Sequence, residues 1–228
     1  MKLILMLASL ALFCAGIPAT ASAAEGEEDY QPLEVGLVWT ADVTTTAPSG
    51  KVLRGIATRE IIGTKEIDGK TYFISVTNAK NVPGITTFTT YQRKQPDGIY
   101  TIRESDPEKK EFLEMPLPLV LGKLWDIPAE KGKLTFHIEN LEAVQVGTTS
   151  HKNCFKISYR SDAFEFSSTY YLAPGIGNVM EQMKVGSGTM VFSHKSLVKK
   201  DSGTGTETTI SPTTSTGTTT PETPAVPK

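Results

Sequence analysis

The sequence predicts an all-β domain: about ten or eleven antiparallel strands in two related halves, forming a curved sheet, half-barrel or sandwich. Three observations predict it. No long segment repeats its apolar residues every 3.6 positions, short runs alternate with a period of two, and Gly, Pro, Asp or Asn interrupts those runs at short intervals.

The elements follow in chain order. Leu37, Trp39, Ala41 and Val43 alternate with Val38, Thr40 and Asp42, which gives the first strand one apolar face. The break "APSG" leads into a second strand, "KVLRGIATREIIGTKEI". Asp68-Gly69 then marks a tight hairpin, because both residues accept the positive φ that such a turn needs. "KTYFISV" is the third strand, "ITTFTTYQRK" the fourth and, after "PDG", "IYTIRES" the fifth. The carboxylates and lysines of "IRESDPEKKEF" read as a charged turn. In the second half Leu134, Phe136 and Ile138 alternate with Thr135, His137 and Glu139, followed by "FKISYR", "FEFSSTYYL", "VMEQMKV" and "TMVFSHKSL". Short links between neighbours favour antiparallel pairing over βαβ crossovers.

Three sets of landmarks recur in the same order. Pro32, Leu33, Gly36 and Trp39 match Pro118, Leu119, Gly122 and Trp125, in the pattern P-L-x-x-G-x-x-W. "KTYF" at Lys70–Phe73 lies opposite "KNCF" at Lys152–Phe155. Thr90-Tyr91 followed by Gly98 lies opposite Thr169-Tyr170 followed by Gly177. The two halves are expected at about 30–115 and 116–200, each opened by one of the two tryptophans. In the motif, proline suits a lead-in, glycine a bulge or close backbone approach, and tryptophan a large apolar body. Trp39, Trp125, Tyr91, Tyr170 and Phe136 are therefore the candidates for a ligand-facing surface or for the core.

The second half also resembles a family. "PLPLVLGKLW", "ENLEAVQVGTTSHKNCFKISY" and "STYYLAPGIGNV" are similar to the G-x-x-W, E-x-V-x-V-x-x-G and Y-x-A-P-G-x-G segments of exported bacterial TapB-like proteins of unknown function. Glu142, Val144, Val146, Tyr171, Ala173, Pro174, Gly175 and Gly177 carry the match, while "VGTTSHKNC" departs from the family's proline-alanine-glycine turn. The resemblance implies a curved antiparallel sheet like that of lipoprotein carriers, and no catalytic residues.

The ends of the chain speak for export. Lys2, an apolar run and "ASA" before acidic "AEGEED" read as a signal peptide over residues 1–23. Phe13 before Cys14 is a poor site for lipoprotein processing, and the mature chain is expected in the periplasm or outside the cell, with no transmembrane segment. Residues 24–200 form the domain, about 175 residues and enough for one core. Residues 201–228, rich in Thr, Ser and Pro, have little to bury and are expected to be disordered.

The formal net charge of −2 has no basic stripe, which excludes an obvious nucleic-acid partner. Once the signal is gone Cys154 stands alone, so no internal disulfide is expected. His137, His151 and His194 read as surface histidines. Neither a nucleophile elbow nor a zinc or phosphate motif occurs. The expectation is a non-enzymatic protein without cofactor or metal, whose partner is an apolar ligand or an envelope protein. The alternative is an interaction module displayed on the Thr/Pro-rich spacer.

Overall fold

The computed structural model describes residues 28–129 and 131–200, with the backbone of 207–209. Twelve strands follow in order: β1 (Leu37–Thr46), β2 (Val52–Ile67), β3 (Lys70–Lys80), β4 (Phe88–Gln95), β5 (Gly98–Arg103), β6 (Phe112–Pro116), β7 (Leu124–Pro128), β8 (Lys133–Val146), β9 (Thr149–Ser161), β10 (Phe166–Ala173), β11 (Gly177–Val185) and β12 (Gly188–Lys200). A short β13 (Glu207–Thr209) pairs with the end of β12. The fold is all-β, and among the described residues there is no helix.

All neighbours are antiparallel, in the order β6-β5-β4-β3-β2-β1-β12-β11-β10-β9-β8-β7. Each half is thus a six-stranded meander. The ladder from Leu37↔Lys199 to Thr46↔Thr189 joins the start of the first half to the end of the second. The equivalent junction, β6 against β7, has no ladder, and the sheet curls into a nearly closed barrel with one open seam. Two side chains bridge that seam. The indole N–H of Trp125 donates to the Glu114 carbonyl at 2.9 Å, and Arg103 Nη1 donates to the Pro128 carbonyl at 3.1 Å.

The strand count exceeds the ten or eleven expected because β6 starts inside the charged stretch that reads as a turn. Phe112–Pro116 is too short to show its alternation, and it is fixed by pairing with β5. "PLPLVLGKLW" is only partly a strand. Leu117–Lys123 is a link containing a cis Leu117-Pro118 bond, and β7 begins at Leu124. Asp68 and Gly69 take φ of 50° and 72°, as the expected hairpin requires.

The other landmarks fall on corresponding strands, Lys70–Phe73 in β3 and Lys152–Phe155 in β9, Gly98 opening β5 and Gly177 opening β11. The tyrosines differ: Tyr91 points away from the barrel interior and Tyr170 into it. The reason is local, since Tyr91 pairs with Ile74 and Ile102 in an outer cluster with Tyr72, whereas its neighbour Gln92 reaches inward to Arg59.

Two interior clusters hold the barrel. One gathers Leu37, Trp39, Ile61, Val144, Val146, Cys154, Ile176 and Leu197; the other gathers Ile99, Met115, Trp125, Ile127, Phe136, Ile138, Ile157 and Leu172. Register shifts at Ile138/Asn140 and Glu142/Val144 interrupt the long β8–β9 hairpin, and bulges of this kind bend a strand. That bend carries Val144, Val146 and Cys154 into the cluster around β1 and β12. The lead-in before β1 also packs inside: Tyr30 meets Phe155 edge-on at 4.8 Å, and the Asp29 carbonyl accepts from Gly175 N–H at 2.7 Å.

The expected signal segment lies outside the described residues. So does most of the 201–228 tail; the backbone of Glu207–Thr209 pairs with the end of β12.

Candidate functional site

Cross-strand register builds the walls of the barrel interior. Trp125 pairs with Phe136, Phe136 with Tyr159, and Tyr159 with Ser168. Three rings therefore stack in a row, Trp125 on Phe136 at 5.0 Å and Phe136 on Tyr159 at 4.5 Å. Tyr170 meets the row edge-on, 6.5 Å from Phe136 and 5.9 Å from Tyr159. The other tryptophan has a different partner. Trp39 pairs directly with Arg59, whose guanidinium lies over the indole at 5.0 Å. One half thus presents stacked aromatics where the other presents a cation.

Arg59 is the hub of a polar network. Its Nε donates to Ser75 Oγ at 2.8 Å and its Nη2 to Gln92 Oε1 at 2.5 Å. Gln92 Nε2 donates in turn to Glu114 Oε2 at 2.6 Å, and Thr101 Oγ1 donates to the same oxygen. With its amide turned to suit its neighbours, Gln31 accepts from Arg59 Nη1 at 2.9 Å. Burial pushes the Arg59 pKa down and the Glu114 charge pushes it up; a guanidinium in such a setting keeps its charge.

A second polar group forms across β9, β10 and β11. Glu181 Oε1 accepts from Tyr159 OH at 2.7 Å and Ser168 Oγ at 2.9 Å, while Asn178 Nδ2 donates to Oε2 at 3.3 Å. Burial, then the Glu181 charge, raises the Tyr159 pKa. Tyr170 is raised by burial, Glu181 and Glu114. Both phenols stay protonated, and Tyr159 acts as a donor to Glu181.

These walls enclose an open cleft of two chambers. The larger, about 480 Å³, is lined on its apolar side by Ile99, Met115, Ile127, Leu134, Phe136 and Leu172. The smaller, about 350 Å³, is lined by Trp39, Ala41, Ile85, Val179, Met183 and Phe192 among others. Gln31, Arg59, Phe88, Tyr159, Asn178 and Glu181 border both chambers and form a polar waist between them. Sizes in this range suit small-molecule sites.

The five aromatic candidates do not share one surface. Phe136 and Tyr170 line the larger chamber and Trp39 the smaller. Trp125 is 8 % exposed and belongs to the core beside the larger chamber. Tyr91 packs with Tyr72 and Ile102 on the outer face, its hydroxyl bonded to Glu104 at 2.7 Å.

The residues that sequence reasoning missed are the polar ones: Gln31, Arg59, Glu114, Asn178 and Glu181. A signal existed for two of them. Arg59 lies between Ala57 and Ile61 on one strand face, and Glu181 between Val179 and Met183 on another. A charge at the apolar parity of a strand marks a buried polar group.

His194 lines the smaller chamber, with His151 packed behind it, and Cys154 lies apart in the core. His151 is 5 % exposed, not on the surface as expected, because the bent β8–β9 hairpin folds it against His194, ring centroids 6.0 Å apart. His151 Nδ1 and His194 Nε2 are buried without partners among the described residues. Burial lowers both pKa values, and His151 lowers that of His194 further. The folded protein thus releases protons that the unfolded chain, near pKa 6.5, still binds. Stability is complete above that value and falls as pH drops through it, by at most about 1.4 kcal/mol per pH unit for each histidine. Urea denaturation at pH 7 and pH 5 is expected to show this loss, and His151→Phe to reduce it; an unchanged pH slope in the variant would place the titrating groups elsewhere. Cys154 is fully buried, and burial holds its thiol at about 11, so it is protonated at neutral pH.

No family model matches the chain, and no curated protein matches it; a TapB-like family is therefore not shown. Two solved structures are similar in fold. One, provisionally described as an exported protein with a YmcC-like fold from Bacteroides fragilis, has 12 % identity and a TM-score of 0.44, covering 74 % of this chain and 99 % of its own. The other, provisionally described as a lipoprotein from Parabacteroides distasonis, has 11 % identity and a TM-score of 0.41, covering 75 % and 98 %.

Proposed function

We propose that this chain is an exported, non-enzymatic binding protein that holds a small, largely apolar envelope molecule inside its open barrel. The two-chambered cleft carries this reading: most of its lining is aliphatic or aromatic, and a few polar groups converge at one place. Export is supported by the signal-like N-terminus. A binding role without catalysis is supported by Cys154, a buried thiol, and by His151 and His194, which burial keeps neutral, His194 on the wall of the smaller chamber. Display on a Thr/Pro-rich spacer draws less support, since Glu207–Thr209 already pairs with β12. The two six-stranded meanders, each opened by a P-L-x-x-G-x-x-W segment, further support descent of the halves from one duplicated unit.

Native mass spectrometry of the full chain, purified from its own envelope without detergent, tests the binding role. The expected result is an added small-molecule mass at about one per chain. Repeated recovery of empty protein, together with no calorimetric binding of single-chain amphiphiles, would sink the reading.

A further inference from the structure

The waist of the cleft carries more information than its apolar walls. Arg59 and Glu181 both border the two chambers, and among the described residues neither forms an ion pair. Arg59 is held by neutral acceptors, Ser75 Oγ, Gln92 Oε1 and Gln31 Oε1, and by the face of Trp39. A guanidinium has five N–H donors, so at least one remains for a ligand. Glu181 is held by neutral donors, Tyr159, Ser168 and Asn178, and its Oε2 has only the long contact to Asn178. Desolvated charges without opposite charges are costly, and charge-assisted bonds are about twice as strong as neutral ones. The side chains that touch Arg59 and Glu181 orient these charges; the Glu114 carboxylate, one glutamine removed from Arg59, acts on it at a distance without forming an ion pair.

The aromatic rings narrow the ligand class further. Most of the rings are already covered, Phe88 at the waist being 48 % exposed. Trp125, Phe136 and Tyr159 cover one another, Arg59 covers Trp39, and Arg103 lies 4.5 Å over Phe112. The rest of the apolar lining is largely aliphatic, Ile99, Ile127, Leu134 and Leu172 in one chamber and Ile85 and Val179 in the other, which suits hydrocarbon.

We propose that the cleft recognises a zwitterionic amphiphile, its anionic oxygens at Arg59, its ammonium group at Glu181 and its hydrocarbon in the flanking chambers. This rests on the binding role proposed above and adds the chemistry of the head group. A zwitterion satisfies both charges of the waist at once, whereas a fatty acid or an alkylamine leaves one uncompensated. The same pair of charges occurs in a phosphoethanolamine lipid head and at the two ends of an apolar dipeptide.

Isothermal titration of the full chain separates the cases, with every probe below its micellar concentration. The probes are a monoacyl phosphoethanolamine, the monoacyl phosphate, the alkylammonium and the monoacylglycerol of matched chain length, and a leucine-containing apolar dipeptide. The zwitterionic lipid is expected to bind roughly tenfold tighter than each of the other three lipids, about 1.4 kcal/mol. Arg59→Met should bring it to the level of the alkylammonium, and the nearly isosteric Glu181→Gln to that of the monoacyl phosphate. Arg59→Lys, which keeps the charge, should retain much of the preference if Arg59→Met fails to fold. Tighter binding of the dipeptide than of any lipid would keep the zwitterion and assign its source to peptides. Equal binding of all four lipids, or a preference unmoved in Glu181→Gln, overturns the zwitterion while leaving the binding role standing. No binding of any probe overturns both.

Discussion

Trp125→Ala is expected to destabilise the domain by about 3–5 kcal/mol, the range for removing a buried large aromatic. The side chain is 8 % exposed, stacked on Phe136, and packed among Met115, Ile127 and Ile138. It also does something that other core residues do not. The β6–β7 seam has no ladder, and the Trp125 indole supplies one of its two side-chain bridges through the bond to Glu114. Two losses therefore coincide, burial and seam closure. Trp125→Phe helps separate them, because it keeps much of the stacking while giving up the hydrogen bond, worth about 1 kcal/mol, and the buried area of one ring. Urea denaturation measures both, and hydrogen exchange should show faster exchange of β6 and β7 amides in the alanine variant than in Trp39→Ala. In Trp39→Ala the long β1–β12 ladder still holds the corresponding junction. A loss below about 1 kcal/mol for Trp125→Ala would mean that the seam and its cluster are not coupled as described.

How far the sequence could be read follows from which interactions are local. Alternation is local, so Leu37, Trp39 and Val43, or Leu134, Phe136 and Ile138, could be assigned a common face before any pairing was known. Turn chemistry is local too, and Asp68-Gly69 behaves as its residue types dictate. Register is not local. Nothing near Trp39 in the chain says that Arg59 lies opposite it while Phe136 lies opposite Trp125, yet that difference gives the cleft its charged and aromatic sides. The outward placement of Tyr91 has the same origin, since parity relates residues within a strand and does not say which face becomes the interior. His151 departs from its expected surface position for a further reason. Two bulges in β8–β9 fold the hairpin over, and bulges depend on the partner strand as much as on their own residues.

The repeated motif yields the sharpest test of the barrel's asymmetry. Gly36 and Gly122 occupy the same place in P-L-x-x-G-x-x-W and have similar positive φ, 91° and 81°. Both donate their N–H at 2.8 Å to the second strand of their half, Gly36 to Ile61 and Gly122 to Ile138. Their surroundings differ on the other side. Gly36 also accepts from Lys200 N–H at 2.9 Å, so β12 closes over it, and an added Cβ would sit 2.5 Å from the Lys200 carbonyl oxygen. At Gly122 a Cβ would meet nothing within 4 Å, because β6 does not pair with β7 there. Gly122→Ala should therefore cost only the positive-φ penalty, about 1–2 kcal/mol. Gly36→Ala adds displacement of Lys200 and weakening of the β1–β12 ladder, and a loss of about 3 kcal/mol or more is expected. Chemical denaturation of the two variants side by side reads the difference. Equal losses would show that the two junctions are closed to the same degree, contrary to a barrel sealed at β1–β12 and open at β6–β7.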